Sequence, residues 1–301
     1  VTRGSGRTPA ATAGGAAAVL AAAGCTTLLN IQADRYVVAT DASADAGSAP
    51  GAWDCLQDAG SSPYSSAPLQ ITLVVMDGLQ PELAAGSVDG GSDLETVSGA
   101  YLPGVSVQSC SLLDPDCMSG STRVTSDDAG NVAMSVPGDF SGFFRLQGAV
   151  GGADGVPVSL YPGRLLASDP GTRLPAYEIS QDEMRILAST LTSTPVSLDP
   201  AGSVGHVLVN VYDCEDHQAA GVVLHLASTG DQTEAFYMKD GVPDPRATET
   251  DAFGLGGAIN VPVGTQTVSA AIAGGGPSLG TTTITVHPGQ ITWAWVRVRS
   301  R

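Results

Sequence analysis

Val74-Val75-Met76-Asp77, Pro103-Gly104-Val105, Ser126-Asp127-Asp128-Ala129-Gly130 and Val136-Pro137-Gly138 follow one another along the first half of this chain. The same order returns as Asn210-Val211-Tyr212-Asp213, Ala220-Gly221-Val222, Thr250-Asp251-Ala252-Phe253-Gly254 and Val261-Pro262-Val263-Gly264. An internal repeat sets the architecture, so it is read before any single element. The unit here is about 100 residues or more, well beyond the roughly 20–50 of a solenoid module. It therefore reads as two related domains, and a chain of 301 residues has room for two cores.

The residues between the repeated blocks favour strands over helices. Charged residues are only 14% of the chain, Lys239 is the only lysine, and Gly and Pro number 38 and 19. Short runs rich in Val and Thr, separated by Gly/Pro turns, suit a β-sandwich. Strands are expected at 69–76, 105–109, 121–126, 131–136, 143–147 and 158–161, then at 205–212, 222–227, 234–238, 257–261, 265–273, 281–286 and 291–298. The Gly/Ser/Asp-rich stretch 86–100 reads as part of a long 78–102 insertion. The class is all-β: two tandem Ig-like antiparallel sandwiches, at 69–165 and 203–301, with one short helix between them.

That helix is signed at both ends. Ser180 and Glu183 form a capping box, and Ile179 and Met184 occupy the positions of a hydrophobic staple. Met184, Leu187, Ala188 and Leu191 then share a face, and Pro195 stops the run. A helix over about 181–191 is expected, inside a 166–202 linker.

The formal charge is −17. A polyanionic field repels phosphate backbones and anionic headgroups, which disfavours nucleic-acid partners. Residues 1–25 have the layout of an export signal: Arg3 and Arg7, an apolar run from Ala10 to Ala23, then Gly24-Cys25. The ending resembles a bacterial lipoprotein signal, which makes Cys25 the lipidated residue and lipid the only membrane attachment. The expected address is the outer membrane or cell surface, or a periplasmic or secreted state without the lipid. From 26 to 68 runs a tether, poorest in apolar residues at 41–52, with Trp53-Asp54-Cys55-Leu56 as a docking point.

Four further cysteines suit an oxidising compartment, where three pairings are possible. Cys110 and Cys117 flank a turn-forming Asp114-Pro115-Asp116, so they are the natural first pair, leaving Cys55 with Cys214. The four histidines show no metal-ligand spacing with these cysteines, and no metal or other cofactor is expected.

The shared blocks resemble the carboxypeptidase regulatory-like (transthyretin-like) domain family. The resemblance rests on Asp213, Ala220-Gly221-Val222, Thr250-Asp251-x-x-Gly254 and Val261-Pro262 in the second copy, and on their counterparts in the first. It implies a seven-stranded sandwich of about 100 residues per copy, and the layout is similar to bacterial lipoproteins of myxobacterial type. The 78–102 insertion departs from the pattern. The family is named for a neighbouring zinc peptidase, but no His-x-x-Glu pair occurs here, so the enzyme does not come with the name.

Chemical readings of single motifs are weak. Asp127 and Asp251 are expected to hold turns, not to catalyse. Gly276-Pro277-Ser278-Leu279-Gly280 matches a nucleophile-elbow pattern, but its flanks read as a hairpin. Asp114 and Asp116 could offer oxygens to a cation, though a surface turn is the plainer reading. Trp293 and Trp295 point to one face of the last strand. Exposed, that face would stack on sugar rings; internal, it is sandwich core, the better reading. The expected role is therefore non-catalytic, binding or structural, toward an envelope protein or glycan. The alternatives are a carbohydrate-binding module and an accessory protein of a secreted hydrolase.

Overall fold

β1 (Leu69–Asp77) opens a sheet that the first repeat builds for itself. It pairs antiparallel with β4 (Asn131–Val136) and parallel with β8 (Arg173–Ser180), whose far end meets β6 (Gly155–Val156). A second sheet of the same repeat holds β2 (Ser106–Ser111), β3 (Val124–Thr125), β5 (Gly142–Gln147) and β7 (Val158–Tyr161). The second repeat follows the same plan. β9 (Val204–Tyr212) lies between β13 (Leu255–Pro262), antiparallel, and β16 (Ile291–Arg297), parallel. Opposite them, β14 (Gly264–Ile272) runs between β10 (Val222–Leu226) and β15 (Ser278–Val286). β11 (Glu234–Lys239) and β12 (Val242–Asp244) extend the first of these sheets beyond β13.

These statements cover residues 52–57, 67–78, 101–119, 123–138, 140–148, 155–163, 165, 173–191 and 195–297 of a computed structural model. The signal-like segment with Cys25, the tether up to residue 51 and most of the 78–102 insertion lie outside them. All of them belong to one compact unit, Ala39–Arg301.

The two repeats do not keep separate sheets. β7, an edge of the first repeat, pairs parallel with β16 from Ile291↔Val158 to Ala294↔Tyr161. The result is one sheet of nine strands in the order β12-β11-β13-β9-β16-β7-β5-β2-β3. The sheet of β4, β1, β8 and β6 covers one of its faces, and the sheet of β10, β14 and β15 covers the other. The architecture is all-β, as the strand pattern implies, but the pairing is mixed and includes three parallel ladders.

Two cores follow from these three layers. On one side Leu73, Val75, Leu174, Phe144, Leu146, Leu208, Trp293 and Trp295 interlock. On the other, Val207, Val209, Val211 and Val296 meet Val268, Ile284 and Val286. β9 and β16 are therefore buried on both faces, which is why both read as near-continuous apolar runs.

α1 (Gln181–Leu191) takes the bounds its caps imply. The Ser180 amide donates to the Glu183 carboxylate at 2.7 Å, and the Glu183 amide returns to Ser180 Oγ at 3.2 Å. Met184, Leu187, Ala188 and Leu191 are buried against the first core. β8 directly precedes α1, within the stretch read from sequence as linker, and adds to the first repeat the strand that β16 adds to the second.

Candidate functional site

The repeated blocks converge on the same hydrogen-bonded node in both copies. Ser126 Oγ donates to the Leu102 carbonyl at 2.6 Å and accepts the Val105 amide at 2.9 Å. Thr250 Oγ1 does the same with Ala219 (2.7 Å) and Val222 (3.0 Å). One residue on, the Asp127 carboxylate accepts the Ala129 amide at 3.0 Å, and Asp251 accepts that of Phe253 at 2.9 Å. The closing glycines, Gly130 and Gly254, each offer a carbonyl at 2.8 Å to the amide of Val75 or Val211. In both copies the Ser/Thr hydroxyl, the Asp carboxylate after it and the closing Gly carbonyl are thus bonded to backbone groups, the mark of a structural turn.

The two aspartates differ in setting. Asp127 is exposed, and the Asn131 amide it accepts holds its carboxyl below the usual range. Burial outweighs the amides of Phe253 and Asp240 at Asp251 and pushes its carboxyl up.

Gly254 shows how tight the node is. Its φ is +57°, and an added Cβ would stand 2.6 Å from the Val211 carbonyl oxygen and 2.7 Å from the Ala219 nitrogen. Backbone atoms cannot step aside as a flexible side chain can. Gly254→Ala should therefore cost about 3 kcal/mol or more. Gly274→Ala, at φ +70° with nothing within 4 Å, should cost only about 1 kcal/mol of left-handed strain. Equal shifts in the urea midpoints would contradict the close-approach argument.

Trp293 and Trp295 are each 1% exposed, so neither offers a face to a sugar ring, and the candidate ligand face is corrected to core. Trp293 stacks on Tyr177 with centroids 4.8 Å apart, and its indole N–H donates to Asn210 Oδ1. Trp295 meets Tyr212 edge-on, and the Arg297 guanidinium lies 4.7 Å from the Trp295 ring centroid. The cause is the sheet junction: with β7 and β9 on its two sides and a layer on each face, β16 has no side turned to water.

Cys110–Cys117, the pair that spacing favours, is present, and the remaining two cysteines form Cys55–Cys214. The second ties the short 3₁₀ turn Asp54–Gln57 to the end of β9, where the Cys214 amide also donates to the Ala52 carbonyl at 3.0 Å. In the Cys110–Cys117 loop, Asp114 accepts the Met118 amide at 3.0 Å and the Ser119 amide and hydroxyl, each at 2.6 Å. That carboxylate is occupied with turning the chain. Among the described residues no group of three or more His, Cys, Asp or Glu side chains is arranged to hold a metal ion. Ser278 opens β15 after a turn in which the Ile272 amide donates to the Pro277 carbonyl at 3.1 Å. A hairpin stands where a nucleophile elbow would need a helix.

His206 and Asn260 have no signal in the sequence. His206 is fully buried on β9; its Nε2 donates to the Ser197 carbonyl at 3.0 Å, and its Nδ1 accepts the Asn260 amide at 3.3 Å. Asn260 takes φ +53° at the bulge of β13, and its side chain bonds the Ser197 amide and the Pro195 carbonyl. Together they clamp the segment after α1 onto the nine-stranded sheet.

Burial pushes the His206 imidazole down from 6.5 to about 4. The unfolded chain takes up this proton near pH 6.5 and the folded chain only near 4. The stability of the neutral ring is thus complete above 6.5 and is lost as pH falls through that window. Its size is about 3 kcal/mol by linkage. His287, lowered by burial and by Arg145, acts in the same direction. Urea unfolding at pH 7.5 and 4.5 should show a smaller acid loss for His206→Gln than for the native chain. An unchanged loss would remove His206 from the account.

No family model and no curated protein matches this sequence. Among solved structures, the shaft pilin SpaA of Lactobacillus rhamnosus GG is similar over 77% of this chain and 98% of its own, at 9% identity and a TM-score of 0.25. The minor pilin of Streptococcus agalactiae covers 77% and 95%, at 15% identity and a TM-score of 0.22. A streptococcal ancillary pilin covers 77% and 69%, at 14% and 0.22. Overlays this loose say nothing of role, and what stands is the β-sandwich fold with its two disulfides.

Proposed function

We propose that this is an exported, non-catalytic protein of the cell envelope, anchored by a lipid on Cys25, whose double sandwich is a rigid support for a loop that binds a protein partner. The observation that carries this reading is the β7–β16 ladder, which merges the two repeats into one sheet. A merged sheet suits a support better than a cleft, because it removes the hinge on which domain closure depends. The two disulfides agree with an oxidising compartment. The node formed twice from the same residues agrees with a carboxypeptidase regulatory-like origin for each copy.

Two measurements test the reading. Intact-mass analysis of fractionated cells should place the protein in the envelope, acylated at Cys25 and carrying two disulfides. Recovery as a reduced cytoplasmic protein would sink it. Calorimetry of the oxidised chain should give one cooperative transition with matching calorimetric and van't Hoff enthalpies. Two separable transitions would show that the repeats are independent and not one support.

A further inference from the structure

Six large hydrophobic side chains are exposed among the described residues, and three of them lie in the Cys110–Cys117 loop or directly after it: Leu112, Leu113 and Met118. Leu113 is 96% exposed and Met118 86%. Single exposed apolar residues are ordinary on protein surfaces. These differ because the backbone beneath them is held from several directions. Cys110 and Cys117 close the loop and sink into the second core beside Phe143 and Tyr161. The Asp114 carboxylate ties the amides of Met118 and Ser119, and the Asp114 amide donates to the Ser111 carbonyl at 3.0 Å. From below, Arg145 donates to the Asp116 carbonyl at 2.8 Å. The second repeat has β10 in the place of β2, and no cysteine follows it before β11. This loop is an addition to the common plan.

We propose that the Cys110–Cys117 loop is a docking knob that inserts Leu113 and Met118 into an apolar socket with a basic rim on a partner protein. The proposal deepens the binding role given above and rests on it. A loop already fixed in shape loses little conformational freedom on binding, so most of the apolar burial is retained as affinity. Charge selects the occupant. Asp114 and Asp116 lie between Leu113 and Met118 in the chain, and Asp114 is held ionised by its hydrogen bonds from Ser119 and Met118. The whole chain carries −17. A second copy and an anionic bilayer both meet like charge here, whereas a socket edged with Arg or Lys is complementary.

The test uses the full, disulfide-bonded chain and a displayed library of random peptides. Enriched peptides should pair aromatic or aliphatic residues with Arg or Lys, and should bind less tightly as salt rises. Leu113→Ser/Met118→Ser should weaken them by about tenfold or more. Val242→Ser/Val263→Ser, at exposed apolar positions elsewhere, should leave them unchanged. Peptides indifferent to the Leu113/Met118 pair would overturn the knob while leaving a binding role at another surface. Flotation with phosphatidylcholine or phosphatidylglycerol vesicles, or self-association in sedimentation, lost in that same double variant, would also overturn it. Failure of the envelope assignment would appear separately, in the fractionation and intact-mass result.

Discussion

Replacing Cys55 and Cys214 together by Ser should lower the stability of the oxidised protein by about 5 kcal/mol, by the loop-entropy relation. The bond joins residues 159 positions apart, so in the unfolded chain it closes a loop containing the entire first repeat. Cys110–Cys117 spans a separation of only 7, for which the same relation gives about 2.5 kcal/mol. The native side points the same way. The long-range bond holds the 52–57 segment on β9, where the Cys55 amide also approaches Cys214 Sγ at 3.2 Å. Urea unfolding of the two double-serine variants at neutral pH measures both losses. A larger loss from the short bond than from the long one would refute the chain-entropy account.

Trp293→Ala should cost about 3–5 kcal/mol, the range for deleting a buried aromatic side chain from a packed core. Trp293 lies between two sheets, stacked on Tyr177, and the deletion also leaves Asn210 Oδ1 without its indole donor inside the core. Trp293→Phe separates the two contributions. It keeps an aromatic ring against Tyr177 but loses the indole N–H, so its cost, about 1–3 kcal/mol, is chiefly that of the unpaired acceptor. A loss below about 1 kcal/mol for Trp293→Ala would mean that the ring faces solvent, and the sugar-stacking reading would return.

Local chemistry was legible wherever the sequence itself supplied the partner. The Ser180–Glu183 box placed α1 over 181–191. β4 and β7 fall on the residues expected from alternation and turn signals. In the Thr/Ser-Asp-x-x-Gly blocks the Asp carboxylate accepts an amide two residues on, and Cys110–Cys117 closes a loop as short as its spacing implies.

β8 was not legible, because Pro175 argues against a strand that needs amides on both sides. The structure admits it because β8 meets β6 at Ile179 and Ser180, so among the described residues only β1 pairs with it at Pro175. The candidate ligand face was half legible. Alternation showed that Trp293 and Trp295 share a side of β16, but not which side was covered. The continuous burial of β9 and β16 left a trace as near-continuous apolar runs, a sign of strands covered on both faces.

Sequence alone determined that this chain is all-β, built twice on one plan, and closed at Cys110–Cys117 by a short disulfide, because each of those properties rests on contacts short in sequence or on composition. Only the tertiary structure decided that the two plans share a nine-stranded sheet, that the tryptophans are core and that Leu113 and Met118 stand in water. The physical reason is the same for all three. Which edge strand of one repeat meets which edge of the other is a contest between surfaces far apart in sequence. Backbone donors and acceptors on any free edge are chemically alike. The outcome at β7 and β16 settled what was covered around it.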